Sequence, residues 1–401
     1  MRSRRDLRRT NIIIAVVAVL VSAAAFAGGY LIARMAVTSS TITETTTITR
    51  DHYWNTSMTL LRETLEWVER DRGLRFNCNV SLVVLTKEWV AEHWGLGYLN
   101  RTDIRIKEEL YKALFMVPKE YNLTRIKLGQ SGCVVAASAD KTVYVVREYF
   151  DPSRKVEAGE ILAHELTHIL QGIHFKIPVG RFHDEKQAIR AVVEGDAGTV
   201  ATDYLLAHGG VKQERGHEEG YDPITSIWLF PYLYGEDFIR YIRELRGWGG
   251  VNQVYSRMPR STSEILHPEK YVSGWRPTMV KIAVRVGDGW RLQLRDRLGE
   301  YFIRQMLRAH LPMEVAVKAA DGWRGDLLEY YANDGRRLLY WKIAWEDQME
   351  LEEFLKAFER LLEEVGAERI GEHAWIKDGI DVRLVVDGSS VLIIENFSAA
   401  G

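Results

Sequence analysis

Glu160-Ile-Leu-Ala-His-Glu-Leu-Thr-His-Ile-Leu-Gln171 places two histidines, His164 and His168, four residues apart in an apolar stretch, with Glu165 between them. On an α-helix, residues four apart lie one turn from each other on the same face, so both imidazoles can reach one zinc ion. Glu165 projects beside them, where a carboxylate can take a proton from water that the ion acidifies. Leu166, Ile169 and Leu170 give the same helix a buried face. The plain alternative is a core helix that carries two histidines by accident. It would bury two imidazoles beside a carboxylate without a partner, which is costly.

A zinc site normally takes a third protein ligand and keeps an open position if it is catalytic. Two residues qualify. Glu194 lies in Ala191-Val-Val-Glu-Gly-Asp-Ala-Gly-Thr-Val200, within a second helical stretch at about 185–207, so its carboxylate can come from a neighbouring helix. His174 falls six residues after His168, the third-histidine position of H-E-x-x-H-x-x-G-x-x-H. That pattern needs Gly where this chain has Gln171, and Gly172 is one place late. Glu194 is therefore the expected third ligand.

His-Glu-Leu-Thr-His168 followed by Glu194-Gly-Asp-Ala197 resembles the gluzincin branch of zinc metallopeptidases, the thermolysin-like clan. More closely, the chain resembles membrane-anchored prokaryotic zincin-like proteins, which share these runs together with Gln171-Gly-Ile-His-Phe175 and Ser261-Thr-Ser-Glu-Ile-Leu-His-Pro-Glu-Lys-Tyr271. The likeness covers residues 133–271. It implies one catalytic Zn2+ held by His164, His168 and Glu194, with Glu165 as general base and a peptide or protein as substrate. In thermolysin-like enzymes an Asp four residues after the ligand Glu supports a histidine. Here Gly198 holds that place, and Asp196 is the nearest acid for the supporting role. A late His or Tyr often stabilises the oxyanion in gluzincins. His267, left at a loop by Pro268, is the candidate, with Tyr271 behind it.

The rest of the chain sets the context. Apolar residues make up 46% and charged residues 27%, ordinary for a folded protein, and a net charge of −2 gives no nucleic-acid footprint. Residues 1–10 form a basic tail with five Arg, and 12–33 run without a charge, about 33 Å as a helix. This predicts a single-pass signal anchor over 11–37 that spans the lipid bilayer, with the N-terminus cytoplasmic and the catalytic domain extracellular at the cell membrane. A cleaved signal peptide ending near Ala25-Phe26-Ala27 is the rival. Residues 38–50 read as a Thr-rich stalk. Sequons at Asn55, Asn79, Asn100, Asn122 and Asn396 suit an exported, glycosylated surface, and Cys78 could then pair with Cys133.

The expected fold class is α+β: the transmembrane helix, a mostly helical zincin-like domain with a small sheet over 51–280, and a small α+β accessory module over 281–401. Val134–Ser138 and Thr142–Arg147 read as a hairpin, and the second of these strands is a candidate for pairing with an extended peptide. The functional expectation is an outward-facing zinc metallopeptidase. The alternative from another class is a non-catalytic surface module with a structural or vestigial zinc.

Overall fold

The computed structural model describes residues 52–94, 101–130, 134–212, 218 and 220–398. The basic tail, the charge-free span at 12–33, the stalk, Asn100 and Cys133 lie outside the described residues.

Helix α1 (His52–Arg72) leads into strand β1 (Ser81–Leu85) and helices α2 (Lys87–His93), α3 (Arg101–Ala113) and α4 (Leu123–Gln130). The hairpin β2 (Ala136–Ala139) and β3 (Thr142–Val146) follows. Asp140, at φ 53°, makes the turn between its strands. Three helices then build the site: α5 (Lys155–His174), α6 (His183–Ala207) and α7 (Pro223–Ser256). The first sheet runs β1-β3-β2, with β1 parallel and β2 antiparallel to β3. β3 is thus paired on both sides. The expectation that it could accept a peptide strand is corrected, because its backbone groups are already used; β1 and β2 are the edge strands.

Local chemistry explains the helix limits. α5 stops before Phe175, which is extended, and Pro178 follows three residues later. Asp222 caps α7 by accepting from the amides of Ile224 and Thr225, with Pro223 in the first turn. Pro231 lies inside α7 and cannot donate to the Ile227 carbonyl; the side-chain amide of Gln187 in α6 donates to it instead. α7 breaks at Gly247, whose φ is 61°. α6 and α7 cross at two glycines. A β-carbon on Gly195 would collide with the Gly235 carbonyl, and one on Gly235 with the Ala191 carbonyl.

Two short helices, α8 (Thr262–Leu266) and α9 (Pro268–Ser273), lead to strand β4 (Arg291–Asp296) and helices α10 (Glu300–Arg308) and α11 (Met313–Asp321). The chain continues as β5 (Trp323–Asn333), β6 (Arg336–Trp345), α12 (Gln348–Glu364), β7 (Glu368–Gly371), β8 (Ala374–Lys377), β9 (Ile380–Asp387) and β10 (Ser390–Ser398). The second sheet is antiparallel throughout, in the order β4-β5-β6-β10-β9-β8-β7. Asp334-Gly335 and Asp378-Gly379 both have positive φ, as two-residue hairpin turns require. Trp323, Trp341 and Trp345 are buried in the core, Trp341 against Phe302 of α10 and Trp345 against Phe354 of α12.

The C-terminal part is not packed as a separate unit. One core joins Leu110 of α3, Val192 of α6 and Phe238 of α7 to Phe302, Trp341 and Ile393. A second core joins α1, the first sheet and the apolar face of α5, and Val200 and Tyr204 bring α6 into it as well. The site helix α6 therefore serves both cores.

The fold-class expectation needs correction. The described residues are α+β, but no helix among them is long and apolar enough to cross a membrane. The reason is composition: α1, α5, α6 and α7 have the length, but charges interrupt them, as Asp184, Lys186, Arg190, Glu194 and Asp196 do along α6. The sheet of the C-terminal part, at seven strands, is also larger than expected.

Two stability predictions follow from packing. Gly195→Ala should lower unfolding free energy by about 2–3 kcal/mol in urea melts, because backbone meets backbone there. Glu395 in β10 is fully buried between Leu339 and Val382, and neither of its carboxylate oxygens has a partner. Burial raises its pKa well above 4.5. The folded protein thus keeps this proton while the unfolded chain loses it, so stability falls as pH rises above the unfolded value. Glu395→Leu should remove that loss. Its advantage over the parent should widen between about pH 5 and 8 by up to ~1.4 kcal/mol per unit, up to the folded pKa.

Candidate metal centre

His164 and His168 project from one face of α5, and Glu194 meets them from α6. Their ligand atoms lie within 4.8 Å of one another. The two Nε2 atoms are 3.1 Å apart, and each is 3.4 Å from Oε2 of Glu194. A tetrahedral zinc with bonds of ~2.0–2.1 Å spaces its ligand atoms by about 3.3–3.4 Å, so the triangle is nearly the right size. Glu194 is 2% exposed, and its Oε2 is a buried oxygen without a hydrogen-bond donor of good geometry. A cation is the partner that such an oxygen lacks. By donor set, spacing and the unsatisfied oxygen, the three residues fit a zinc ion.

Electrostatics point the same way. Burial pushes the Glu194 carboxyl up, but the two imidazoles outweigh it and hold the group well below the usual carboxylate range. Burial disfavours a charged His168, yet the Glu194 carboxylate overrides it and pushes the pKa up to about 9. This corner of the molecule attracts positive charge.

Around the ligands lies a support that fixes their orientation. Gln171 donates its amide to the Val193 carbonyl at 2.9 Å and to Oδ2 of Asp196 at 3.3 Å. Its Oε1 is thereby turned to Nδ1 of His168, 2.9 Å away. Nδ1 of His168 then carries the proton, and its Nε2 lone pair faces the other ligands. Asp196 reaches His168 only through Gln171. It also accepts from Arg72 Nε at 2.8 Å and the Tyr255 hydroxyl at 2.7 Å. Arg72 is itself buried, over the Trp248 ring.

Glu165 is buried next to the ligands. The Ser138 hydroxyl, from the edge strand β2, donates to its Oε2 at 2.8 Å. Tyr232 of α7 brings a buried hydroxyl to the same place. Burial, then the negative charges of Glu194 and Glu165, raise its pKa well above 10. His164 keeps 17% of its side chain exposed against 7% for His168, so the site opens on the His164 side.

The remaining sequence candidates lie elsewhere. Nε2 of His174 meets the Arg75 carbonyl at 2.7 Å and does not join the ligand group. His267 pairs with Glu300 and Asp321. Tyr271 is buried edge-on to Phe238, beneath Arg257. Gln171, Ser138, Tyr232 and Arg72 were not singled out from sequence. Gln171 alone left a signal there, as the residue that breaks the three-histidine pattern.

Comparison with known proteins reaches only the C-terminal part. A family model described as a domain of unknown function, DUF8575, matches residues 290–401, beginning at the start of β4 and outside the His164 centre. No curated protein and no solved structure matches the chain.

Competition against a chelating dye will rank the ligands. Glu194→Ala should lose zinc, His174→Ala should keep it, and Gln171→Ala should bind about 10–100-fold more weakly while staying folded. A His174→Ala protein that loses zinc while Glu194→Ala retains it would reverse the ligand assignment.

Proposed function

We propose that this chain is a zinc-dependent peptidase of the gluzincin type, with His164, His168 and Glu194 as ligands and Glu165 as general base. The observation that carries the reading is the meeting of these three ligand atoms beside a buried carboxylate whose position Ser138 fixes. A purely structural zinc has no use for Glu165, nor for a side open at His164.

When bound, the ion supplies Lewis acidity, which polarises a carbonyl and acidifies water. The chain's own groups would do the rest. Glu165 takes a proton from the attacking water on a carboxylate oxygen and passes it to the leaving nitrogen. Ser138 donates to Oε2 of Glu165 and so holds the carboxylate in place. Tyr232 has its proton firmly held beside the Glu194 carboxylate, and a hydroxyl that keeps its proton there is suited to donate to the oxyanion. It takes the part first expected of His267 or Tyr271.

A peptide substrate is favoured by β2. Among the described residues it pairs with β3 alone, and its Ser138 touches Glu165. An extended chain added along the free edge would run past the base and the ligands.

Cleavage of a mixed peptide library tests the proposal. Glu165→Gln should keep zinc and lose activity by about 10²–10⁴-fold. Tyr232→Phe should keep zinc and lower kcat by about 10²–10³-fold with little change in KM. A Glu165→Gln protein as active as the parent would exclude this chemistry.

A further inference from the structure

We propose that His267, Glu300 and Asp321 form a second divalent-cation site, suited to Zn2+ or Mn2+, which clips three helical elements together. Their ligand atoms converge within 4.8 Å, as those of the first centre do. Each comes from a different place. His267 stands at the junction of α8 and α9, fixed by its amide bond to the Ser263 carbonyl at 2.9 Å. Glu300 opens α10, directly after Leu298 and Gly299, whose amides are both held by Asp326 at 2.9 Å. Asp321 closes α11.

The geometry leaves His267 facing two carboxylates at once. Nε2 of His267 lies 2.7 Å from Oε1 of Glu300 and 3.2 Å from Oδ1 of Asp321. One ring nitrogen carries at most one proton and cannot donate well to both oxygens. A cation among the three can take a lone pair from each, once the atoms spread to the ~3.0–3.5 Å that such coordination sets. Nδ1 faces the Glu269 carboxylate at 3.9 Å, so a proton on Nδ1 leaves the Nε2 lone pair turned inward.

Glu300 supplies an independent sign. Its side chain is 4% exposed, and its Oε2 is buried without a hydrogen-bond partner. The Lys270 ammonium stands 3.8 Å from Oε2. Lys270 is also engaged by the Ser263 hydroxyl, the Asp321 carbonyl and the Trp275 ring. A divalent ion would displace a proton from His267, and the three carboxylates Glu269, Glu300 and Asp321 less Lys270 would then leave two negative charges for it to balance. One imidazole, two carboxylates and an Asp321 that is 60% exposed to water make a first-row donor set with room for solvent ligands. Glu300 and Asp321 fall inside the family-matched residues 290–401 and His267 outside, so the ion would join that part to the helices before it.

The test counts ions on the full chain. Protein stripped with chelator is dialysed against Zn2+ or Mn2+ and analysed for bound metal. The parent should hold two ions, Asp321→Asn one, Glu194→Gln one, and the double variant none. Asp321 is exposed, so its Asn form should fold. Saturating Mn2+ should raise the Tm of Glu194→Gln and leave that of the double variant unmoved. A parent with a single ion that depends on Asp321 and not on Glu194 would support this site and count against the peptidase reading. Metal content unaffected by Asp321→Asn, with His267→Asn agreeing, would mean an ion pair only and would overturn the proposal.

Discussion

The carboxylate of Asp196 is where four helices around the candidate metal centre meet. Arg72 reaches it from α1, Gln171 from α5 and Tyr255 from α7, while Asp196 itself belongs to α6. Burying that charge is costly, and Arg72 with two neutral donors offsets the cost. A buried pair of this kind adds little net stability, but removing one partner would strand the other and cost about 3–5 kcal/mol. Its effect is registry. Gln171 can present its oxygen to His168 only because its amide end is held on α6, so helix packing and ligand orientation are one constraint.

The same economy appears in three consecutive residues of α6. Glu194, Gly195 and Asp196 point about 100° apart around the helix and serve three different neighbours. Glu194 faces the two histidines, Gly195 lets α7 approach to backbone contact, and Asp196 anchors α1 and Gln171. The close approach at Gly195 and Gly235 in turn sets where Tyr232 stands, one turn earlier on α7.

Much of this was legible in the sequence. His164, Glu165 and His168 declare themselves by spacing, and Glu194 by its place on a second helix. What escaped depends on side chains brought together from distant segments. Ser138 lies 27 residues before Glu165, Arg72 lies 124 residues before Asp196, and no local pattern links either pair. Gln171 was visible only as an exception to another motif. His267 misled because a histidine before proline says where a helix stops and not what the side chain meets. The continuous core was also hidden, since turn signals divide a chain in sequence whether or not the parts pack apart.

The place of β10 carries a consequence for how the molecule assembles. It comes later in the chain than every other described strand, yet it lies in the interior of the second sheet, between β6 and β9. Until it is inserted, the β6 edge is open and the main core lacks Val391 and Ile393. Contacts this distant in sequence close slowly. During synthesis, α6 can pack early on α5 and the first sheet, while its other flank waits for strands yet to emerge. The candidate metal centre would thus be framed on one side well before the opposite side is complete, and that interval is when an unfinished chain most needs protection from aggregation.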